Sequence, residues 1–232
     1  MSQLEILDLL EKSTPADSKQ MLQDARLVHE LALWKCGFKL IAGVDEVGRG
    51  PLAGPVVACA CIVPKGIVFH SIKDSKLLSA DERKRLSDHL TNHPDVTFAL
   101  GVVDSQKIDE INILRATLLA MKYAIDGLKI KPDFVLVDGR DCPPMDLANR
   151  AVIKGDNLSQ SIAAASIIAK VYRDDIMDKY HEEFPHYSFD KNKGYATLLH
   201  HQAIQEFGLC PIHRRSFGLV KEKIALETPT LF

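Results

Sequence analysis

The stretch NLSQSIAAASIIAKVYRDDIMDKYHEEF (157–184) constrains the fold more than any other. It runs without glycine or proline as far as Pro185, so its pattern predicts one long helix that Pro185 stops. Its early part, SIAAASIIAK, is small and apolar, the composition of a helix face packed tightly on a sheet. Strands for that sheet are at hand. Residues 40–44, 56–63, 96–104 and 131–139 are short and apolar, with PKG closing the second. LSADERKRLSDHL (78–90) reads as a helix with Ser79 as N-cap and Glu82 three residues on, a capping box. INILRATLLAMKYAIDGL (111–128) reads as an amphipathic helix ending near Gly127, and 195–208 as a further helix. Strands first, then strands alternating with helices, predict an α/β fold with a mixed sheet flanked by helices. The 232 residues suit one large domain with a small appendage. Residues 1–38 are that appendage, an N-terminal helical extension read at 3–11 and 18–35 and broken off at Gly37; residues 39–232 form the main domain.

Composition removes several function classes. The five cysteines are odd in number and contain no C-x-x-C pair, which argues against a disulfide framework or a zinc ribbon. Reduced thiols in a cytoplasmic protein are expected. The N-terminus carries acids where a signal peptide needs bases, and no apolar run reaches the roughly 18 residues of a membrane span. A net charge of −2 does not suit a broadly basic nucleic-acid binder. Residues 191–223, however, hold six Lys/Arg (Lys191, Lys193, Arg214, Arg215, Lys221, Lys223) against Glu206 and Glu222, with His200, His201 and His213 among them. That face suits a partner with phosphates, and equally a solvated helix surface.

The chemistry centres on GVDEVGRGPLAG (43–54), where Asp45 and Glu46 close an apolar run and Gly-Arg-Gly follows. A dinucleotide cradle is a weak reading. Gly48, Gly50 and Ala53 meet the loose pattern, but Pro51 and Pro55 bracket the segment and a strand, not a helix, comes next. A nucleophile system is weaker still, because no Ser or Cys stands in an elbow pattern. A metal site fits better. Asp138 also ends a strand, and Asp156 begins the long helix. Clustered carboxylates repel, and a divalent cation relieves that repulsion. Each acid has a plainer reading: Asp138 as a turn residue before Gly139, Asp156 as the N-cap of the helix. A regular strand would also point Asp45 and Glu46 to opposite faces.

GVDEVGRGPLAGPV (43–56) resembles the signature of the bacterial type 2 ribonucleases H, ribonuclease HII. The similarity continues in register through DSKLLS (74–79), LVDG (136–139), KGDNLSQSIAAASIIAKVYRD (154–174), FPHYSFDKNKGYATLLH (184–200) and GLCPIHRRSF (208–217). The resemblance implies a ribonuclease H-like fold, a central mixed five-stranded sheet flanked by helices, with a C-terminal helical part. It implies an endonuclease that cuts the RNA strand of RNA–DNA hybrids and incises 5′ of a single ribonucleotide in duplex DNA, leaving 3′-hydroxyl and 5′-phosphate ends, with a role in ribonucleotide removal and DNA repair. Two ions, Mg²⁺ or Mn²⁺, would be held by Asp45, Glu46, Asp138 and Asp156. Gly48, Arg49 and Gly50 would hold the ribonucleotide, and Tyr195 would sense the junction. Lys76, Lys191, Lys193, Arg214 and Arg215 are candidates for phosphate contacts. Asp174 and Asp175 are expected on the helix surface, because they lie roughly 27 Å along the helix from Asp156 at 1.5 Å per residue. A monomer is expected; a contact with a DNA sliding clamp has no clear motif. A catalytically silent RNase H-like binding module and a metal-dependent nuclease of another substrate class are the alternatives.

Overall fold

The computed structural model describes residues 27–72, 78–218 and 220. The helix read at 3–11, the start of that read at 18–35, and Lys76, Lys221 and Lys223 lie outside them. Among the described residues five strands form one sheet in the order β3-β2-β1-β4-β5. They are β1 Ile41–Val47, β2 Val56–Ile62, β3 Thr97–Val103, β4 Phe134–Asp138 and β5 Asn149–Val152. β1, β2 and β3 form an antiparallel meander, and β4 and β5 continue parallel to β1. The fifth strand is the one that the apolar pattern does not reveal. NRAV is four residues long and half polar, as an edge strand can be.

Each face of the sheet is covered by helices. On one lies α4 (Ile113–Asp126), whose Ala116, Ala120, Met121, Ala124 and Ile125 pack against Ala42, Val44, Ala58, Ala60, Val135 and Val137. On the other lies α5 (Gln160–Glu183), joined by α2 (Ala80–Thr91). Ala163, Ala164, Ile167 and Ile168 of α5 pack against Val57, Cys59 and Cys61. The small residues let α5 lie close. At Gly43 the approach is closest: a Cβ there would stand 2.1 Å from the backbone of Ser161 and Ile162. A buried isoleucine such as Ile162 or Ile168 stabilises the pair by about 1.5–3 kcal/mol.

Capping side chains set the starts of the longer helices. Ser79 and Glu82 form the expected capping box on α2. The helix read at 111–128 is divided at Asn112, whose φ is +67°. Its side chain accepts from Arg115 N and starts α4, while Asp104 caps the preceding α3 (Ser105–Ile111). Asparagine tolerates positive φ and competes for backbone N–H groups, so it breaks a periodic run. α5 is capped by Ser159, which accepts from Ile162 N. Asp156 therefore is not the N-cap; it sits in a 3₁₀ turn, Gly155–Asn157, just ahead.

Two further pieces complete the frame. α1 (Val28–Lys35) is tied to the start of α5: Glu30 Oε1 accepts from Ser159 Oγ at 2.6 Å and Ser161 N at 3.0 Å. Beyond α5, a 3₁₀ turn (Pro185–Tyr187), α6 (Phe189–Asn192) and α7 (Leu198–Phe207) build a second small core. Tyr187, Phe189, Ile204 and Ile212 enclose Leu52 and Ala53 there. The C-terminal part thus grips the loop that joins β1 to β2.

Candidate active site

Strand alternation decides which way each acid points. Gly43 faces α5, so Asp45 faces it too. The ladder with β2 stays regular through Val47, which turns Glu46 to the α4 side with Val44. The parallel register pairs Val44 with Val137, making Asp45 and Asp138 the next residue on each strand. Leu136 packs with Ile162 of α5, and Asp138, two residues on, shares that face. Gly155 N donates to Asp138 Oδ1 at 2.6 Å, which brings the turn bearing Asp156 onto the end of β4. Asp156 Oδ1 accepts from Asn157 Nδ2 at 3.0 Å. Asp138 is thus more than a turn residue, since its carboxylate anchors the next segment.

The carboxylates crowd one another. Asp45 is 7% exposed, and its carboxyl is held well above the usual range by burial, then by Glu46 and Asp138. Hydrogen bonds from Ser166 and from Glu46 N, the latter 2.7 Å to Oδ1, pull the other way. Glu46 is also raised, chiefly by burial and also by Asp138, against the pull of Arg49, whose Nη1 lies 3.2 Å from Oε1. Among the described residues no group of three or more His, Cys, Asp or Glu side chains is set closely enough to hold an ion as it stands. The donor chemistry nevertheless fits one. Oxygen-only, mutually repelling carboxylates at strand ends suit a hard divalent cation.

Beside the acids, the β1–β2 loop is held by two arginines, each 0% exposed. Arg214 donates through Nε to Gly54 O (3.0 Å), through Nη1 to Arg49 O (3.0 Å) and through Nη2 to Gly48 O (2.6 Å). Arg173, on α5, donates to Pro55 O, Ala53 O and Lys193 O at 2.9–3.2 Å. Burial, and then Arg173, lowers Arg214 to about 9. The consequence for the loop follows from peptide geometry. Among the described residues no peptide bond is cis, and in a trans peptide C=O and N–H point opposite ways. With the carbonyls of Gly48 and Arg49 turned inward onto Arg214, the N–H groups of Arg49 and Gly50 point away from it. Gly48 makes this turn at φ +92°, where a Cβ would stand 2.2 Å from Arg173 Nε.

Tyr195 lies on the same loop surface. Its Cε1 is 3.6 Å from where a Gly50 Cβ would be, and it is 43% exposed. Leu52 N donates to Gly194 O at 2.8 Å, stitching the two segments together. Gly48, Arg49, Gly50 and Tyr195 are therefore brought together, beside Glu46.

The expected phosphate contacts divide. Arg214 is corrected: it is fully buried and its donors are spent on carbonyls. Lys193 pairs with Asp178, while Lys191 and Arg215 are exposed. Asp174 and Asp175 lie on the helix surface, facing Lys170 at 2.7 Å and Lys84 at 3.9 Å. Sequence reasoning missed Ser166 and the inward roles of Arg173 and Arg214. A serine on an otherwise apolar face opposite a strand-end acid was the available signal for Ser166. Nothing local distinguishes Arg214 from its exposed neighbour Arg215.

The family model for ribonuclease HII matches residues 42–220. The chain belongs to the ribonuclease HII family. It is 49% identical to the ribonuclease HII of Chlamydia caviae, over 92% of this chain and all of that one. It is 52% identical to that of Syntrophus aciditrophicus, over 88% and 96% of the two chains. Among solved structures, the ribonuclease H2 of Pyrococcus horikoshii OT3 superposes with a TM-score of 0.69 at 26% identity, covering 82% of this chain and 100% of that one. The sheet and its flanking helices are the ribonuclease H-like fold, and membership of ribonuclease HII makes the chain a hydrolase of the ribonuclease H type. Among the described residues no helix is long and apolar enough to cross a membrane.

Proposed function

We propose that this chain cuts the RNA strand of RNA–DNA hybrids and incises duplex DNA on the 5′ side of a single ribonucleotide, leaving 3′-hydroxyl and 5′-phosphate ends. One observation carries the reading: strand-end acids adjoin a glycine loop whose amides face outward under the clamp of Arg214. A sugar 2′-hydroxyl is what separates RNA from DNA, and only backbone can approach it without a side chain in the way. The Arg49 and Gly50 N–H groups meet that need. Arg49, half-exposed beside Glu46, is placed for a phosphate. Tyr195, over Gly50, stacks on the next sugar, where a deoxyribose fits and a 2′-hydroxyl crowds the ring.

Asp45, Glu46, Asp138 and Asp156 would hold the metal, Mg²⁺ or Mn²⁺. When bound, a pair of such ions supplies activation of water and stabilisation of the departing 3′ oxygen. The chain's own share is to hold the carboxylates: Ser166 orients Asp45, Gly155 N–H orients Asp138, and Arg49 orients Glu46. Five unpaired thiols support a reducing, cytoplasmic setting, and action on ribonucleotides in DNA suits a role in repair.

The test is incubation with Mg²⁺ or Mn²⁺ and a duplex bearing one ribonucleotide. A nick 5′ to it, with a 3′ end that a polymerase extends, supports the reading. An intact strand, or a 3′-phosphate product, contradicts it.

A further inference from the structure

Behind Tyr195 lies a buried chain of polar side chains. His200 Nδ1 is 2.9 Å from Tyr195 O, and His200 Nε2 is 3.0 Å from His213 Nε2. His213 Nδ1 meets the Cys210 amide N at 3.0 Å and its Sγ at 3.1 Å. His200 is 0% and His213 2% exposed. Tyr187 and Phe189 wall them in, with ring centres 5.0 Å from His213 and 5.4 Å from His200 respectively.

The fixed donors and acceptors at the two ends of this chain set the hydrogens between them. A carbonyl cannot donate, so His200 Nδ1 carries the hydrogen. The Cys210 amide can only donate, so His213 Nδ1 is bare. Cys210 O, 3.3 Å from that nitrogen, already accepts from His213 N at 3.1 Å. Neutral His213 then carries its hydrogen on Nε2 and donates it to the bare Nε2 of His200. Protonating either ring would set two N–H groups against each other. Burial acts in the same direction, lowering His200 and taking His213 to about 4.

We propose that His200 is a positioning residue for Tyr195, locked in its Nδ1–H tautomer by His213 and Cys210. The inference rests on the reading of Tyr195 as the residue that senses the sugar. An aromatic ring this exposed takes its direction from its backbone. Tyr195 N donates to Asn192 O at 2.9 Å, and its carbonyl accepts from Thr197 N at 2.8 Å and from His200. Both lone pairs of that carbonyl are then occupied, and the peptide plane that carries the ring is fixed over Gly50. Discrimination between a 2′-hydroxyl and a 2′-hydrogen at the following sugar depends on that fixed distance.

Two measurements test it. Nitrogen-15 NMR of the imidazoles in the wild-type chain at neutral pH should show His200 protonated at Nδ1 only and His213 at Nε2 only. His200 protonated at Nε2, or doubly protonated, overturns the proposal. His200→Gln reaches toward His213 but takes away the donor to Tyr195; His200→Asn keeps a donor near the Nδ1 position. The ratio of single-ribonucleotide incision to hybrid cleavage should fall about tenfold in the Gln variant, the effect of losing one hydrogen bond of ordinary strength, and hold in the Asn variant. Hybrid cleavage in the same preparation reports a folded, working site. An unchanged ratio in His200→Gln, or an equal loss on both substrates, overturns the proposal. A Tyr195→Ala variant with an unchanged ratio would instead remove the reading beneath it, which keeps the two failures apart.

Discussion

Arg214 Nη2 lies 2.6 Å from the carbonyl oxygen of Gly48, a buried contact between two buried residues. This contact, with its companion to Arg49 O, turns two successive peptide planes so that their N–H groups face outward. Arg214 thus governs the hydrogen-bonding surface of a loop it touches only from behind. Arg214→Lys keeps the charge but cannot supply three donors in a fixed fork. Incision at single ribonucleotides should fall at least about tenfold, equivalent to ~1.4 kcal/mol in the barrier. Comparing kcat/KM with the wild type checks this, and an unchanged value would show that the clamp does not set the loop.

Asp138→Asn retains an oxygen that can accept from Gly155 N–H and removes a charge that crowds Asp45 and Glu46. Cleavage should be lost on both hybrid and single-ribonucleotide substrates. The melting temperature without added cation should be unchanged or higher, because repulsion is relieved. Near-wild-type cleavage would remove Asp138 from the chemistry.

Tyr195→Ala should lose single-ribonucleotide incision more than cleavage of long hybrids. Burial does not hold the ring, so the variant should melt with the wild type. Parallel rates on the two substrates check it, and equal losses would count against the sugar-sensing role.

Glu30 gives the fold a pH dependence. Its carboxyl is wholly buried, and burial raises it from 4.5 to about 7 despite the hydrogen bonds from Ser159 and Ser161. The folded state therefore binds this proton more tightly than the unfolded chain does. That contribution is complete below about pH 4.5 and is lost as pH rises through 7, a change of about 3 kcal/mol for such a shift. Glu30→Gln cannot ionise, so it should remove this slope: relative to the wild type it should gain stability between pH 5 and pH 8. Denaturant melts at the two pH values check it, and parallel slopes in both proteins would contradict the assignment.

The sheet was legible in the sequence where its strands carry continuous apolar runs, on the edge strand β3 as well as on the buried β1, β2 and β4. Residues 40–44, 56–63, 96–104 and 131–139 all became strands because continuous apolar runs have few other uses. β5 was not legible from its own residues. Its Asn149 and Arg150 reflect an edge position, and only the resemblance called for a fifth strand. The α3–α4 division at Asn112 was hidden because helical spacing continues across it, while one side-chain oxygen and a positive φ decide otherwise.

The site was legible in its residue types rather than its geometry. Asp45 and Glu46 stand out beside an apolar run, yet only the register with β4 tells which of them shares a face with Asp138. Arg214 was misread for a physical reason. A basic residue in a basic stretch looks like surface, and its real partners, Gly48 and Arg49, lie more than 160 positions away in the chain.

The most direct measurement uses three duplexes of one sequence, differing only at one sugar: ribose, 2′-deoxyribose and 2′-O-methylribose. With Mg²⁺ or Mn²⁺ present, the account predicts a nick 5′ to the ribose and none in the other two strands. Comparable cutting of the deoxyribose duplex would contradict it, because nothing at the outward-facing amides of Arg49 and Gly50 would then be reading the 2′-hydroxyl.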